Sequence, residues 1–82
     1  MYDIVFTKKG NNDFEELNFD LKQRVVDVLE RIRINPRKYL KKLAGTDFFR
    51  LRIGDYRVII HLDENKKTLV VLGIGHRKNI YG

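Results

Sequence analysis

Apolar and polar side chains alternate in three segments of the second half of the chain. These segments are residues 47–53, 56–62 and 68–76. A period of two residues is typical of β-strands that bury one face. In the first segment Phe49, Leu51 and Ile53 share a face, and Gly54 with Asp55 has the composition of a tight turn. A polar turn separates the second segment from the third, so the pattern predicts three consecutive antiparallel strands.

The first half of the chain has a short apolar segment followed by two helical patterns. Residues 2–7 are β-branched and aromatic, which predicts a mostly buried strand that the polar residues after it end. Asn12 followed by Glu15 has the spacing of a helix N-cap and its reciprocal acid, and Asp20 followed by Gln23 repeats that spacing. We therefore expect two helices, which begin at these two caps.

The apolar side chains of both helices recur at helical spacing. On the first helix they are Phe14 and Leu17. On the second they are Leu21, Val25, Val28, Leu29 and Ile32. Asn35-Pro36 ends the second helix, because a residue before proline is pushed out of the α region. Residues 37–46 then form a basic connector with room for one helical turn, and the apolar stripe of the helices belongs to the core.

The order of these elements predicts an α+β fold. A β-α-α-β-β-β chain with short hairpins gives a mainly antiparallel four-stranded sheet, and the helical hairpin packs on one face of it. A length of 82 residues suits one domain, residues 1–82.

The helices leave the second face of the sheet uncovered, and arginines populate it. Alternation places Arg50, Arg52 and Arg57 on that face, with His61. On the last strand it assigns Val70, Leu72 and Ile74 to the core and Val71, Gly73, Gly75 and Arg77 to the arginine side. The two glycines indicate either a shallow trough that a ligand backbone can approach or a bulge that twists the edge.

Charge and composition narrow the range of possible functions. Residues 21–45 carry eight basic and two acidic residues, residues 46–82 carry seven and four, and the chain has a net charge of +6. Such a balance suits either a soluble surface or an anionic partner, which is a nucleic acid or an acidic protein. The chain has no cysteine, two histidines and no membrane-length apolar run. We expect a soluble cytoplasmic protein with no metal and no cofactor.

Three motifs resemble the RelE-type toxins of the RelE/ParE toxin–antitoxin superfamily. NPRKYLKKLAG resembles the family's helix exit and its approach to the second strand. FRLRIGDYRVIIHL resembles its most recognisable hairpin, with Gly-x-Tyr-Arg at residues 54–57, and GHRKNIY resembles its terminal basic pair followed by tyrosine. The resemblance runs over nearly the whole chain, and the order and spacing of the motifs carry it.

The resemblance implies a ribosome-dependent endoribonuclease that cuts messenger RNA in the decoding site and thereby inhibits translation. It also implies a RelB-like antitoxin partner, which we expect to be acidic and amphipathic. Arg57 and Arg77 match the family's key arginines, and Tyr81 matches a tyrosine that stacks on the substrate base or takes part in the chemistry. Arg50 and Arg52, which we assign to RNA binding, match positions that are lysines in the best-known RelE enzymes.

That departure bears on the chemistry, because a guanidinium stays protonated in proteins and is a poor base. Tyr81, a histidine or the ribosome would then move the proton, and His76 is a candidate for this role beside Arg77. Strand parity places His76 with the core-facing residues. Two alternatives stay open: a ParE-like toxin that acts on DNA gyrase without cutting nucleic acid, and an inactive relative that binds nucleic acid.

Overall fold

The computed structural model describes residues 1–42 and 48–76. In it the chain forms β1 (Asp3–Phe6), α1 (Lys8–Glu15), α2 (Phe19–Ile32), α3 (Pro36–Tyr39), β2 (Lys41–Lys42), β3 (Phe48–Ile53), β4 (Tyr56–Asp63) and β5 (Thr68–His76). The predicted α+β fold and the β-α-α-β-β-β order of its main elements are confirmed. The helical turn for which the predicted connector has room is present as α3, and the two-residue strand β2 was not predicted.

The strands form one five-stranded sheet in the order β1-β5-β4-β3-β2. β1 runs parallel to β5, and the other neighbouring strands are antiparallel. β1 therefore lies at an edge, where Asp3 and Val5 are exposed and Ile4 and Phe6 are half-buried. The prediction of a mostly buried first strand is wrong, because an edge strand has a neighbour on one side only.

Both helices begin earlier than predicted. Thr7, and not Asn12, caps α1: its side-chain oxygen accepts a hydrogen bond from the Gly10 N–H at 3.0 Å. A Cβ at Gly10 would lie 2.2 Å from the carbonyl oxygen of Val71, so this glycine serves the close approach of α1 to β5.

The start of α2 follows the same logic of local capping. The Asn18 side chain accepts from the Leu21 N–H at 2.8 Å, so the cap lies two residues before the predicted Asp20. The helix ends at Ile32, within the limit that Asn35-Pro36 sets. Among the described residues no helix is long and apolar enough to cross a bilayer.

The core lies between α2 and one face of the sheet. Val25, Leu29 and Ile32 of α2 are at most 2% exposed, which confirms these three positions of the predicted stripe. The sheet contributes Leu51, Ile53, Val58, Ile60, Leu62, Leu69, Val71 and Ile74. Phe14 and Val28 pack against this cluster at its margin.

A bulge in β5 changes which of its residues face the core. Ile60 pairs with Val71, but the preceding Ile59 pairs with Gly73, so Leu72 is an extra residue in the strand. Before the bulge, Leu69 and Val71 face the core, and after it Ile74 does. The predicted core positions Val70 and Leu72 and the outward position of Val71 are therefore wrong. The assignments of Ile74, Gly73 and Gly75 are confirmed, because they follow the bulge.

Candidate nucleic-acid interface

The face of the sheet opposite α2 is called here the arginine face. Its members share one parity on three neighbouring strands, as the pairing of β3 with β4 and of β4 with β5 shows. They are Phe48, Arg50 and Arg52 of β3, Arg57, Ile59 and His61 of β4, and Val70, Gly73 and Gly75 of β5. The prediction that the three arginines of this hairpin share a face is confirmed.

The turn between β3 and β4 sets the alignment of these arginines. Gly54 has a φ of 59°, a left-handed conformation that glycine adopts without strain. The resulting register pairs Arg52 with Arg57 and Arg50 with Ile59. The Gly-x-Tyr-Arg sequence thus has a direct structural result, since it sets two arginine residues opposite each other across the hairpin.

The charges of Arg50 and Arg52 on this face are weakly compensated. Within residues 1–42 and 48–76 no carboxylate forms an ion pair with Arg50 or Arg52. The Arg52 Nε donates to the Gly54 carbonyl at 3.2 Å, which holds the guanidinium near the turn. Arg57 is half-buried near the start of β4, the middle strand of the sheet. A face of this kind has a positive potential that favours an anionic ligand.

A cleft of about 280 Å³ opens among these arginines. Its lining residues are Tyr39, Arg50, Leu51, Arg52 and Arg57. Tyr39 is the last residue of α3, which begins at Pro36. The buried Leu40 follows it in the chain. Three guanidinium groups beside one aromatic ring can hold a phosphate and a stacked base together.

Sequence reasoning missed Tyr39. The signal was a single aromatic residue in the basic run RKYLKK. Its meaning depends on β2, which follows α3 after one residue and pairs Lys41 with Arg50 of β3. This pairing draws the connector onto the edge of the sheet beside the arginine face. A two-residue strand has too short an alternation to be recognised in the sequence.

The two histidines lie apart from the arginine cleft. His76 is the cross-strand partner of Tyr56, and their ring centroids are 5.5 Å apart on the core side of the sheet. This agrees with the placement that parity predicted and sets the His76 ring on the face opposite Arg57. His61 is on the arginine face but four residues from Arg57, roughly 13 Å along the strand. Its ring contacts Phe48 with centroids 6.4 Å apart.

Two of the predicted site residues, Arg77 and Tyr81, lie outside the described residues. The assigned roles of these two residues in catalysis stay predictions. Within the described part of the chain, no group of three or more His, Asp or Glu side chains is arranged to hold a metal ion.

Comparison with known proteins gives a consistent picture. Residues 4–81 match the family described as the ParE toxin of the type II toxin–antitoxin system, parDE. The chain is 33% identical over 85 residues to toxin RelG of Mycobacterium tuberculosis, with 98% of this chain and 95% of that protein covered.

Solved structures agree with the sequence match. The chain is similar to the toxin–antitoxin complex RelBE2 of Mycobacterium tuberculosis, with a TM-score of 0.85, 26% identity, and 93% of this chain and 98% of that chain covered. It is also similar to the archaeal RelE–RelB complex from Pyrococcus horikoshii, with a TM-score of 0.79, 26% identity, and 95% and 97% covered.

Proposed function

This chain belongs to the ParE toxin family of type II toxin–antitoxin systems and is a RelE-type toxin, and we propose that it is a ribosome-dependent endoribonuclease. It cleaves messenger RNA in the decoding site and thereby stops translation. The observation that supports the proposal is the cleft among Arg50, Arg52 and Arg57. Arginine forks bind phosphate oxygens two at a time, so the cleft suits an RNA backbone.

The proposed reaction is an internal transesterification. The ribose 2′-oxygen attacks the adjacent phosphorus, the bond from phosphorus to the 5′-oxygen breaks, and the products carry a 2′,3′-cyclic phosphate and a 5′-hydroxyl. The 2′-hydroxyl loses a proton and the leaving 5′-oxygen gains one. Negative charge gathers on the pentacovalent phosphate between these steps, and fixed cations lower its energy.

The roles of the side chains follow from their positions. Arg57 is half-buried near the start of β4, the middle strand of the sheet, and it binds the scissile phosphate. Arg50 and Arg52 lie on the adjoining strand and hold the RNA backbone. We propose that Arg77 also stabilises the negative charge of the transition state. Tyr81 stacks on the base or transfers a proton. Orienting the 2′-hydroxyl alone can supply about 7–11 kcal/mol of the barrier.

Proton transfer is the part of the reaction that these arginines do not perform, because they stay protonated. His76 was a candidate, but its ring packs against Tyr56 on the opposite face from Arg57. We therefore propose that Tyr81 or a group of the ribosome moves the proton. Dependence on the ribosome fits an enzyme whose own face supplies charge and orientation.

We propose a RelB-like antitoxin as the partner of this toxin. The two similar structures are complexes of a toxin with its antitoxin. An acidic, amphipathic segment would match the basic stretch at residues 37–42 and the arginine face, which speeds encounter and fixes register. Co-expression with the short reading frame beside the gene tests this, since the antitoxin should co-purify with the tagged toxin and relieve growth arrest.

One alternative has an observation in its favour. The matching family is described by its ParE toxin, and a ParE-like toxin would act on DNA gyrase. Purified toxin should be added in parallel to a translation reaction and to a gyrase supercoiling reaction. Our proposal predicts that translation stops and supercoiling proceeds; the reverse result would establish the gyrase alternative.

A further inference from the structure

A second cleft lies on the arginine face, next to the one that Tyr39 lines. It has a volume of about 220 Å³, and its lining residues are Lys9, Phe48, Ile59, Leu72 and Gly73. Arg50 lies between the two clefts, because it precedes Arg52 and follows Phe48 by two residues on β3, or roughly 6.7 Å in each direction. The two clefts thus form consecutive positions along one strand.

The second cleft has a mostly apolar lining. Gly73 has no side chain, and its cross-strand partner Ile59 is half-buried. Phe48 stands at one side with 41% of its surface exposed, and its ring meets His61 at an interplanar angle of 89°. An aromatic wall over an apolar floor suits a flat ring such as a nucleobase.

An ion pair lies beside Gly73 at the rim of the second cleft. The Lys9 Nζ and the Asp13 Oδ2 each lie 3.3 Å from the place a Cβ on Gly73 would occupy. They are 2.7 Å apart, and the same carboxylate oxygen accepts the Ile74 N–H at 2.9 Å. The pair brings little net charge to this cleft, so the phosphate contact of the two clefts falls to Arg50.

The first cleft has its own exposed aromatic side chain. Tyr39 is 43% exposed beside the three arginines, and the Lys38 ammonium lies 5.7 Å from the centre of its ring. Single exposed aromatic residues are common on protein surfaces. Here two of them lie on either side of an arginine, each in a cleft of its own. Proteins hold single strands in this way, with bases stacked on aromatic rings and backbone phosphates bound by cations.

We propose that the arginine face binds single-stranded RNA over at least two nucleotides, with Tyr39 and Phe48 as stacking platforms on either side of Arg50. The base on Tyr39 lies in the first cleft and the base on Phe48 in the second, while Arg50 binds the phosphate between them. The inference rests on the proposed function in taking RNA as the ligand. It adds a second base position and two aromatic contacts that are independent of Tyr81.

The test is binding of short fluorescent oligoribonucleotides. A single 2′-deoxy sugar at the position that would be cleaved removes the attacking hydroxyl, so these strands resist cleavage. Tyr39→Ala and Phe48→Ala should each weaken binding by about 5- to 150-fold, the range for loss of one base–aromatic stack. Neither should change the slope of log K against log salt, whereas Arg50→Ala should reduce it by about 0.7, since it removes one phosphate contact. Tyr39→Trp and Phe48→Trp keep a platform and should bind like the wild type.

A matched control and an abasic substrate separate stacking from general effects. Phe19 is an exposed aromatic residue on α2, away from the arginine face, and Phe19→Ala should leave RNA affinity unchanged. An oligonucleotide with one abasic position should bind the wild type as weakly as the complete strand binds Phe48→Ala. Combining the abasic position with Phe48→Ala should then add little, because both remove the same contact.

The outcomes distinguish this inference from the proposed function. Binding that depends on both platforms, without codon cleavage during translation, would support the inference and end the endoribonuclease proposal. Codon cleavage by a toxin whose Tyr39→Ala and Phe48→Ala variants bind and cut like the wild type would overturn the inference alone. A wild-type protein that binds no oligonucleotide, or alanine variants that lose only the antitoxin, would overturn it as well.

Discussion

Arg52 and Arg57 are direct cross-strand partners on β3 and β4. Like charges in this relation destabilise a sheet, by an amount on the order of 0.2–1 kcal/mol relative to a neutral pair. Two arginines in this relation repel each other in the free sheet, whereas a phosphate bound by both would be attracted to both charges. The cross-strand pairing of Arg52 with Arg57 is therefore part of the structural basis of the proposed RNA site.

Removing one of these charges should stabilise the free protein while it impairs function. For Arg52→Gln we expect the free energy of unfolding to rise by a few tenths of a kcal/mol, with a smaller gain at high salt because salt screens the repulsion. Urea denaturation at two salt concentrations measures this. Lys66→Gln removes the same charge from a polar turn, and an equal gain there would assign the effect to net charge and not to the Arg52–Arg57 pair.

The three arginines should differ in the kinetic step that they affect. Arg57→Ala is expected to lower the single-turnover rate at saturating ribosome by about 10²–10³, the scale for loss of one transition-state donor. Arg50→Ala and Arg52→Ala should weaken binding and reduce its salt dependence, with a smaller effect on that rate. Single-turnover rates and dissociation constants of all three variants provide the measurement. If all three variants lost affinity alone, the proposed difference between Arg57 and the other two arginines would be wrong.

Two adjacent valines of α2 give a matched test of the core. Val25 is fully buried and Val26 is 40% exposed, so both substitutions to alanine share one gain in helix propensity but differ in lost burial. Val25→Ala should cost about 1.5–3 kcal/mol of unfolding free energy, and Val26→Ala should change it by less than about 0.5 kcal/mol. Similar losses at both positions would contradict the packing of α2 on the sheet.

Gly10→Ala should destabilise the protein even though alanine favours helices by about 1 kcal/mol over glycine. The new Cβ would lie 2.2 Å from the Val71 carbonyl oxygen, so α1 must move away from β5. Asn12→Ala on the exposed side of the same helix is the control and should be neutral or slightly stabilising. Thermal unfolding of both variants provides the measurement, and a higher melting temperature for Gly10→Ala would show that α1 does not pack so closely.

The long strands were predictable because alternation is a local property of the sequence. The predicted segment 68–76 coincides with β5 (Thr68–His76), and the arginines of β3 and β4 fall on the predicted face. The helix starts were not predictable, since Asn12–Glu15 and Asp20–Gln23 fit the capping pattern as well as Thr7 and Asn18 do. The contact of Gly10 with Val71 is a long-range feature that the local pattern does not contain.

The difference between local patterns and long-range contacts also explains the errors in the candidate site. The bulge at Leu72 arises from the pairing of β5 with Ile59 and Ile60, and it reverses the faces of the residues before it. Tyr39 and Lys9 reach the arginine face through the pairing of β2 with β3 and the docking of α1 on β5. Each of these contacts joins segments far apart in the chain, so spacing along the sequence did not indicate them.

Primer extension on a defined message in a purified translation reaction tests the central claim most directly. With the wild-type toxin we predict stops at single positions within the codon of the vacant decoding site, and upstream fragments that end in a 2′,3′-cyclic phosphate. Arg57→Ala and Arg77→Ala, folded as judged by circular dichroism, should give full-length cDNA only. Intact message in the presence of a toxin that still arrests growth, or unchanged cleavage by both variants, would contradict the account.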